Sequence, residues 1–140
     1  MSKIRSIKDI NIKNKKVLIR VDFNCPMKDG SVSDDNRIRA ELPTIEYAIS
    51  QEAKVILMSH LGRPDGKKDP KYSLQAVGEK LAELLNKDVI FAHDCIGEGV
   101  WAVIENMRPG SVALLENLRF YKEEEENDKN FALELSKLCD

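Results

Sequence analysis

Four short apolar runs constrain this chain more than any other feature: VLIRV (17–21), VILM (55–58), VIFA (89–92) and VALL (112–115). Each is rich in branched side chains and too short for a helix. Each therefore reads as a strand buried on both faces. Amphipathic helical patterns separate them. Between Arg37 and Ser50, Ile38, Leu42, Ile45 and Ile49 fall near helical spacing, with Pro43 predicting a kink or a late start. Between Ser73 and Asn86, Leu74, Val77, Leu81, Leu84 and Leu85 form a stripe with Ser73 as its N-cap. A weaker stripe of Val100, Trp101, Ile104 and Met107 spans Glu98 to Met107, and Phe131, Leu135 and Leu138 mark a last helix from Asp128 to Leu138.

Strand alternating with helix implies βαβ units and a parallel sheet. The expected class is α/β, a three-layer Rossmann-like parallel sheet with about four core strands. The first crossover is longer, and Asp29-Gly30 within Cys25–Asp35 suits a small hairpin or an ordered loop. The run Glu123–Glu126 reads as an acidic first turn favourable to a helix dipole. The pattern stops at Cys139-Asp140, on a helix, where a doubly wound sheet would go on to another strand. An incomplete domain is the expectation.

Bulk properties narrow the function. At 140 residues, with 42% hydrophobic and 33% charged, the chain suits one soluble domain. Its net charge of −2 offers no general basic field for nucleic acid, so any anion site must be local. The three cysteines, Cys25, Cys95 and Cys139, are widely spaced and form no CxxC, which argues against zinc and disulfides and for a cytoplasmic, reducing setting. No segment resembles a signal peptide or a membrane span.

In open parallel sheets, ligands bind outside the carboxyl ends of the strands. Asp22-Phe23-Asn24 follows the first strand, His60-Leu61-Gly62-Arg63 the second, His93-Asp94 the third and Glu116-Asn117-Leu118-Arg119 the fourth. Arg37, opening the first helix, reaches the same rim. Arg37, Arg63 and Arg119 present forked donors suited to carboxylate or phosphate. His60 adds a donor, while Asp22 and Asn24 take hydroxyls or fix the arginines. Such a rim fits a small anion that also carries a hydroxyl, such as a phosphorylated hydroxy acid.

Singly, these residues have plainer readings. An Asp or Asn after a strand commonly caps a turn, a lone histidine is commonly structural, and a lone surface arginine is solvated. Arg20 reads as a structural or rim cation, His93-Asp94 as structural, and Cys25 as packing. Convergence on one rim raises the functional reading above these. No GxxxxGK[ST], GxGxxG or GxSxG occurs, so nucleotide loops and a hydrolase elbow find no support. A receiver domain would need an early acidic pair, which is absent.

Specific segments carry a family resemblance. KVLIRVDFNCP (16–26), DDNRIRAELPTI (34–45), MSHLGRPDG (58–66) and LLENLRFYKEEE (114–125) resemble, in order, characteristic segments of the phosphoglycerate kinases. The similarity extends over essentially all 140 residues. That family transfers a phosphoryl group between ATP and 3-phosphoglycerate, giving 1,3-bisphosphoglycerate, in glycolysis and gluconeogenesis. Its N-terminal domain binds the phosphoglycerate, its C-terminal domain binds Mg-ATP or Mg-ADP, and a hinge closes them.

The resemblance implies that residues 1–140 are a partial N-terminal, phosphoglycerate-binding domain without the nucleotide domain. The implied substrate-binding residues are Asp22, Phe23, Asn24, Arg37, His60, Leu61, Gly62, Arg63 and Arg119. Asp22 and Asn24 would meet the carboxylate and hydroxyl end, and His60, Arg63 and Arg119 would grip the 3-phosphate. Arg37 would be the catalytic residue, neutralising the phosphoryl in transfer. No metal or nucleotide is expected on this portion, which should not turn over substrate alone. The family is monomeric, with neither nucleic acid nor membrane as partner. A portion lacking the strands beside VLIRV should self-associate through that edge. The alternatives are a stand-alone module for a small phosphorylated acid and a flavodoxin-like interaction domain with solvated rim charges.

Overall fold

The computed structural model describes residues 6–64, 66–125 and 128–140. A short 3-10 turn, Ile7–Asp9, leads into β1 (Lys16–Arg20), a hairpin of β2 (Met27–Lys28) and β3 (Ser31–Val32), and α1 (Asn36–Ser50). Then come β4 (Lys54–Met58), α2 (Gln75–Leu85), β5 (Val89–Phe91), α3 (Glu98–Glu105), β6 (Val112–Leu114), α4 (Lys122–Glu125) and α5 (Lys129–Ser136). All four apolar runs form strands, in the order β1-β4-β6-β5, and every pairing is parallel.

The two-residue period of a strand builds the layers. Val55, Leu57, Val112 and Leu114 face one core with Ile38, Ile45, Val77 and Leu81 of α1 and α2. Ile56, Ala113 and Leu115 face a second core with Val100, Ile104 and Phe131 of α3 and α5. The central strands β4 and β6 are buried on both faces, as expected, whereas the edge strands β1 and β5 are mostly half-buried. Gly78 of α2 packs against β6, in the neighbourhood of Leu114.

Several local expectations need correction. Pro43 neither delays nor divides α1, which runs continuously from Asn36 to Ser50. A proline in a helix interior costs about 3 kcal/mol. Full burial of Ile38 and Ile45 contributes about 1.5–3 kcal/mol each, so packing outweighs the local penalty. The N-cap position of α2 falls on Leu74, one residue later than Ser73, although Ser73 Oγ still accepts from Gln75 N–H at 3.2 Å. Trp101 does not join the buried stripe of α3 and is half-exposed. Lys122–Glu125 forms a separate turn of helix, and α5 begins afresh with Asp128 as its N-cap. Glu126, the end of the predicted acidic turn, lies outside the described residues.

Asp29 and Gly30 both take positive φ, 52° and 76°, and close the β2–β3 hairpin. Beside β1, opposite β4, no strand is paired among the described residues. Asp140 meets this edge, its N–H donating to Lys16 O at 2.9 Å while its Oδ2 accepts from Lys16 N–H at 2.8 Å. Among the described residues, no helix is long and apolar enough to cross a membrane.

Candidate functional site

The carboxyl ends of β1, β4 and β6 open onto one rim, and polar side chains buried beneath it hold its loops. After β1, Val21 and Phe23 turn into the core while Asp22 stays exposed. The buried Ser59 Oγ accepts from Phe23 N–H at 3.0 Å, tying the β1 loop to the end of β4. Asn24 Oδ1 accepts from Gly62 N–H at 2.8 Å, a second tie between the same two loops. Gly62 sits at φ 62°, where a side chain is strained, and a Cβ there would fall 2.5 Å from the Tyr72 ring. Glycine at this point of MSHLGRPDG is thus required by both backbone and space.

Arg37, the second residue of α1, closes this corner. Its Nη1 donates to Asn24 O at 2.8 Å and to Asp22 Oδ1 at 3.3 Å. Asp22, Asn24, Arg37 and Gly62 therefore form one hydrogen-bonded group. Both ends of the Arg37–Asp22 pair are about half exposed or more, so the pair itself adds only about 0–1 kcal/mol. Its use is to keep a cation at the rim. Arg63 is exposed, with no ion pair among the described residues.

On the far side, Arg119 lies in a 3-10 turn, Leu118–Phe120, directly after the buried Asn117. Arg119 Nε donates to Glu124 Oε2 at 3.1 Å, and Arg20 Nη2 donates to Glu124 Oε1 at 2.6 Å. His60, just after β4, lies within the field of Arg119, Glu124, Arg20 and Asp22. Burial of its ring, and next the nearby Arg119 cation, hold it below the ordinary histidine range. It is therefore a neutral donor near pH 7, and a bound anion would favour its charging.

Two candidate residues reach the rim only through their backbone. Phe23 is wholly buried and Leu61 nearly so, and both side chains belong to the core. Cys25 is buried as well. Burial pushes its thiol up to about 11 against the opposing pull of Arg37, so it is no activated thiolate. Asp94 Oδ1 accepts from Cys95 N–H and from Tyr121 Oη–H, both at 2.7 Å, which gives it a structural part. His93 is exposed and packs edge-on against Phe91.

Reading from sequence located Glu116 and Asn117 at the rim without finding their work. Asn117 Oδ1 accepts from Leu61 N–H (3.2 Å) and Arg119 N–H (3.0 Å). Its Nδ2 donates to Leu61 O (2.8 Å) and Tyr72 O (2.9 Å). Glu116 Oε1 accepts from Leu74 N–H and Asn117 N–H, and Oε2 accepts from Ser73 Oγ–H. This carboxylate helps to satisfy the start of α2, alongside Ser73 Oγ, which accepts from Gln75 N–H at 3.2 Å. A usable sequence signal existed: Ser59 and Glu116-Asn117 directly follow fully buried strands, where a polar group must find partners.

Beside the rim, a cavity of about 590 Å³ opens between the hairpin and the Pro70–Tyr72 turn, reaching His93 and Glu116. No rim arginine lines it. Its charges are mixed, with Lys68 and Lys71 facing Asp29 and Glu79, so it lacks the concentrated cationic character of the rim. The forked donors suited to an anion lie on the rim instead.

Comparison with known proteins agrees with this architecture. The family described as phosphoglycerate kinase matches residues 7–140. A phosphoglycerate kinase of Coprothermobacter proteolyticus is 54% identical over 137 residues, covering 97% of this chain and 35% of the relative. The solved phosphoglycerate kinase of Coxiella burnetii superposes with a TM-score of 0.86 at 40% identity, covering 99% of this chain and 34% of that one. The phosphoglycerate kinase structure from Pyrococcus horikoshii OT3 gives 0.87 at 37% identity, covering 98% and 35%. The chain thus spans about a third of the length of the relatives it matches.

Proposed function

The chain belongs to the phosphoglycerate kinase family, and from that premise we propose that it is the N-terminal, phosphoglycerate-holding part of such an enzyme. The single observation that carries the reading is the rim. Arg37, His60, Arg63 and Arg119 stand at the carboxyl ends of the strands with the Asp22–Asn24 group, in a chain whose net charge is −2. A phosphate set among Arg63, Arg119 and His60 receives forked, charge-assisted donors. The hydroxyl and carboxylate end of the ligand meets Asp22 and Asn24. Arg37, held against both, stands where a phosphoryl group on that carboxylate would develop charge. Phosphoryl transfer depends chiefly on such positioning and neutralisation.

The described residues contain no group of three metal-ligating side chains, and the sequence has no phosphate loop. We assign the nucleotide to the two thirds of the relatives' length that this chain does not span. On this reading the 140 residues bind 3-phosphoglycerate without turning it over, and the setting is cytoplasmic.

Calorimetric titration of 3-phosphoglycerate into the 140-residue chain tests the reading. Charge-assisted hydrogen bonds contribute about 1.5–3 kcal/mol each, so Arg63→Ala and Arg119→Ala should each weaken binding about tenfold or more. Absence of binding at millimolar ligand, or binding that neither substitution alters, would overturn it.

A further inference from the structure

Glu124 is nearly buried, with 8% of its side chain exposed, in the midst of a cationic rim. It stands on the single turn α4, whose Glu124 N–H donates to Tyr121 O at 3.1 Å. Its carboxylate takes one arginine on each oxygen: Arg20, the last residue of β1, at 2.6 Å, and Arg119, from the loop after β6, at 3.1 Å. In the sheet β1 and β6 are not neighbours, because β4 lies between them. The Arg20–Glu124–Arg119 bridge therefore spans the carboxyl end of β4, and His60 lies within the field of all three groups. The bond to Arg119 is made through Nε. Anchoring Nε sets the plane of the guanidinium, and that plane decides whether its fork meets a phosphate squarely.

We propose that Glu124 is a positioning residue of the anion site: it orients Arg119 from behind and couples it to Arg20, so that the rim is arranged before ligand arrives. The inference rests on the reading of the rim as a 3-phosphoglycerate site. It assigns Glu124 no contact with ligand. Its consequence runs against simple electrostatics. Coulomb attraction alone says that removing a carboxylate beside an anion site tightens anion binding. Preorganisation says that binding weakens, because arginines that lose the Glu124 contact must be ordered more by the ligand itself. Burial raises the Glu124 carboxyl, but the Arg20 and Arg119 hydrogen bonds outweigh it and the net shift is downward, so the bridge is charged at neutral pH.

The test titrates 3-phosphoglycerate into the 140-residue chain and into its Glu124→Gln, Glu124→Asp and Arg63→Ala variants. The Nε–H resonances of Arg119 and Arg20 are followed by NMR in each. Glu124→Gln keeps the shape of the side chain, and a native amide spectrum identifies it as folded. The expected result is binding weakened about tenfold in Glu124→Gln, with the Arg119 Nε–H resonance shifted from its position in the unsubstituted chain. Glu124→Asp should restore part of both. Should Glu124→Gln lose its native spectrum, the same criteria apply to Glu124→Asp against the unsubstituted chain. Unchanged or tighter binding in a folded Glu124 variant, with Arg63→Ala still weakened, overturns this inference and leaves the site reading standing. Absence of binding to the unsubstituted chain, or indifference of binding to Arg63→Ala, overturns both.

Discussion

Replacing Asn117 by alanine removes four hydrogen bonds from the base of the rim at once. Two of the groups it leaves, the N–H and C=O of Leu61, belong to a residue only 3% exposed. A buried polar group deprived of its partner costs about 1–3 kcal/mol, so these two together cost about 4 kcal/mol. The Tyr72 carbonyl and Arg119 N–H belong to half-buried residues that water can reach, and add about 0.5 kcal/mol each at most. The expected loss is therefore about 4–5 kcal/mol, against a total stability of about 5–15 kcal/mol for a domain of this kind. With a urea slope of about 2 kcal/mol per molar, the unfolding midpoint should fall by about 2 M. Asn117→Asp should cost at least as much, since it sets a carboxylate oxygen against two carbonyls. Equilibrium urea unfolding followed by circular dichroism measures both. A midpoint shift below about 0.5 M in Asn117→Ala would refute the view that one buried amide holds the loops after β4 and β6 together.

Three further outcomes are expected. Gly62→Ala strains a φ of 62° and drives its methyl into Tyr72, so stability should fall by about 2–3 kcal/mol in the same unfolding assay; a neutral effect would show that the loop can move aside. His60 has a folded pKa below its ordinary 6.5, so the unfolded chain takes up a proton first and stability falls as pH drops below 6.5, until the folded ring also charges. His60→Gln should flatten the stability–pH curve in that window, and an unchanged slope would locate the effect elsewhere. The 140-residue chain should self-associate through the edge of β1, which pairs only with β4 among the described strands; multi-angle light scattering giving a clean monomer at high concentration would count against this.

The Arg20–Glu124–Arg119 bridge also bears on how the rim stays cationic without flying apart. Several guanidinium groups crowded at one sheet end repel one another, and each long side chain loses rotamer freedom when fixed. A nearly buried carboxylate between two of them offsets the repulsion. Asp22 serves Arg37 similarly at the opposite corner, though in a far more solvated setting. Arg63, by contrast, is exposed.

The four strands and the helices between them could be read from the sequence because their signals are local. A run of branched apolar residues is a buried strand whatever surrounds it, and Asp29-Gly30 closes a hairpin because those two residues tolerate positive φ. The candidate rim followed from the same reading, since a parallel sheet carries the ends of its strands to one side. Tertiary structure decided what depends on contact between distant segments. It kept Pro43 inside a helix by burying Ile38 and Ile45, and it turned Phe23 and Leu61 into the core although they sit in the middle of candidate site segments. It also joined Asn24 to Gly62, Asn117 to Leu61, Glu116 to Leu74, and Glu124 to Arg20. A polar side chain shows its residue type in the sequence but not its partner. Propensity and periodicity act over a few residues, whereas these hydrogen bonds close over separations of 38 to 104 residues, which only the packed sheet brings together.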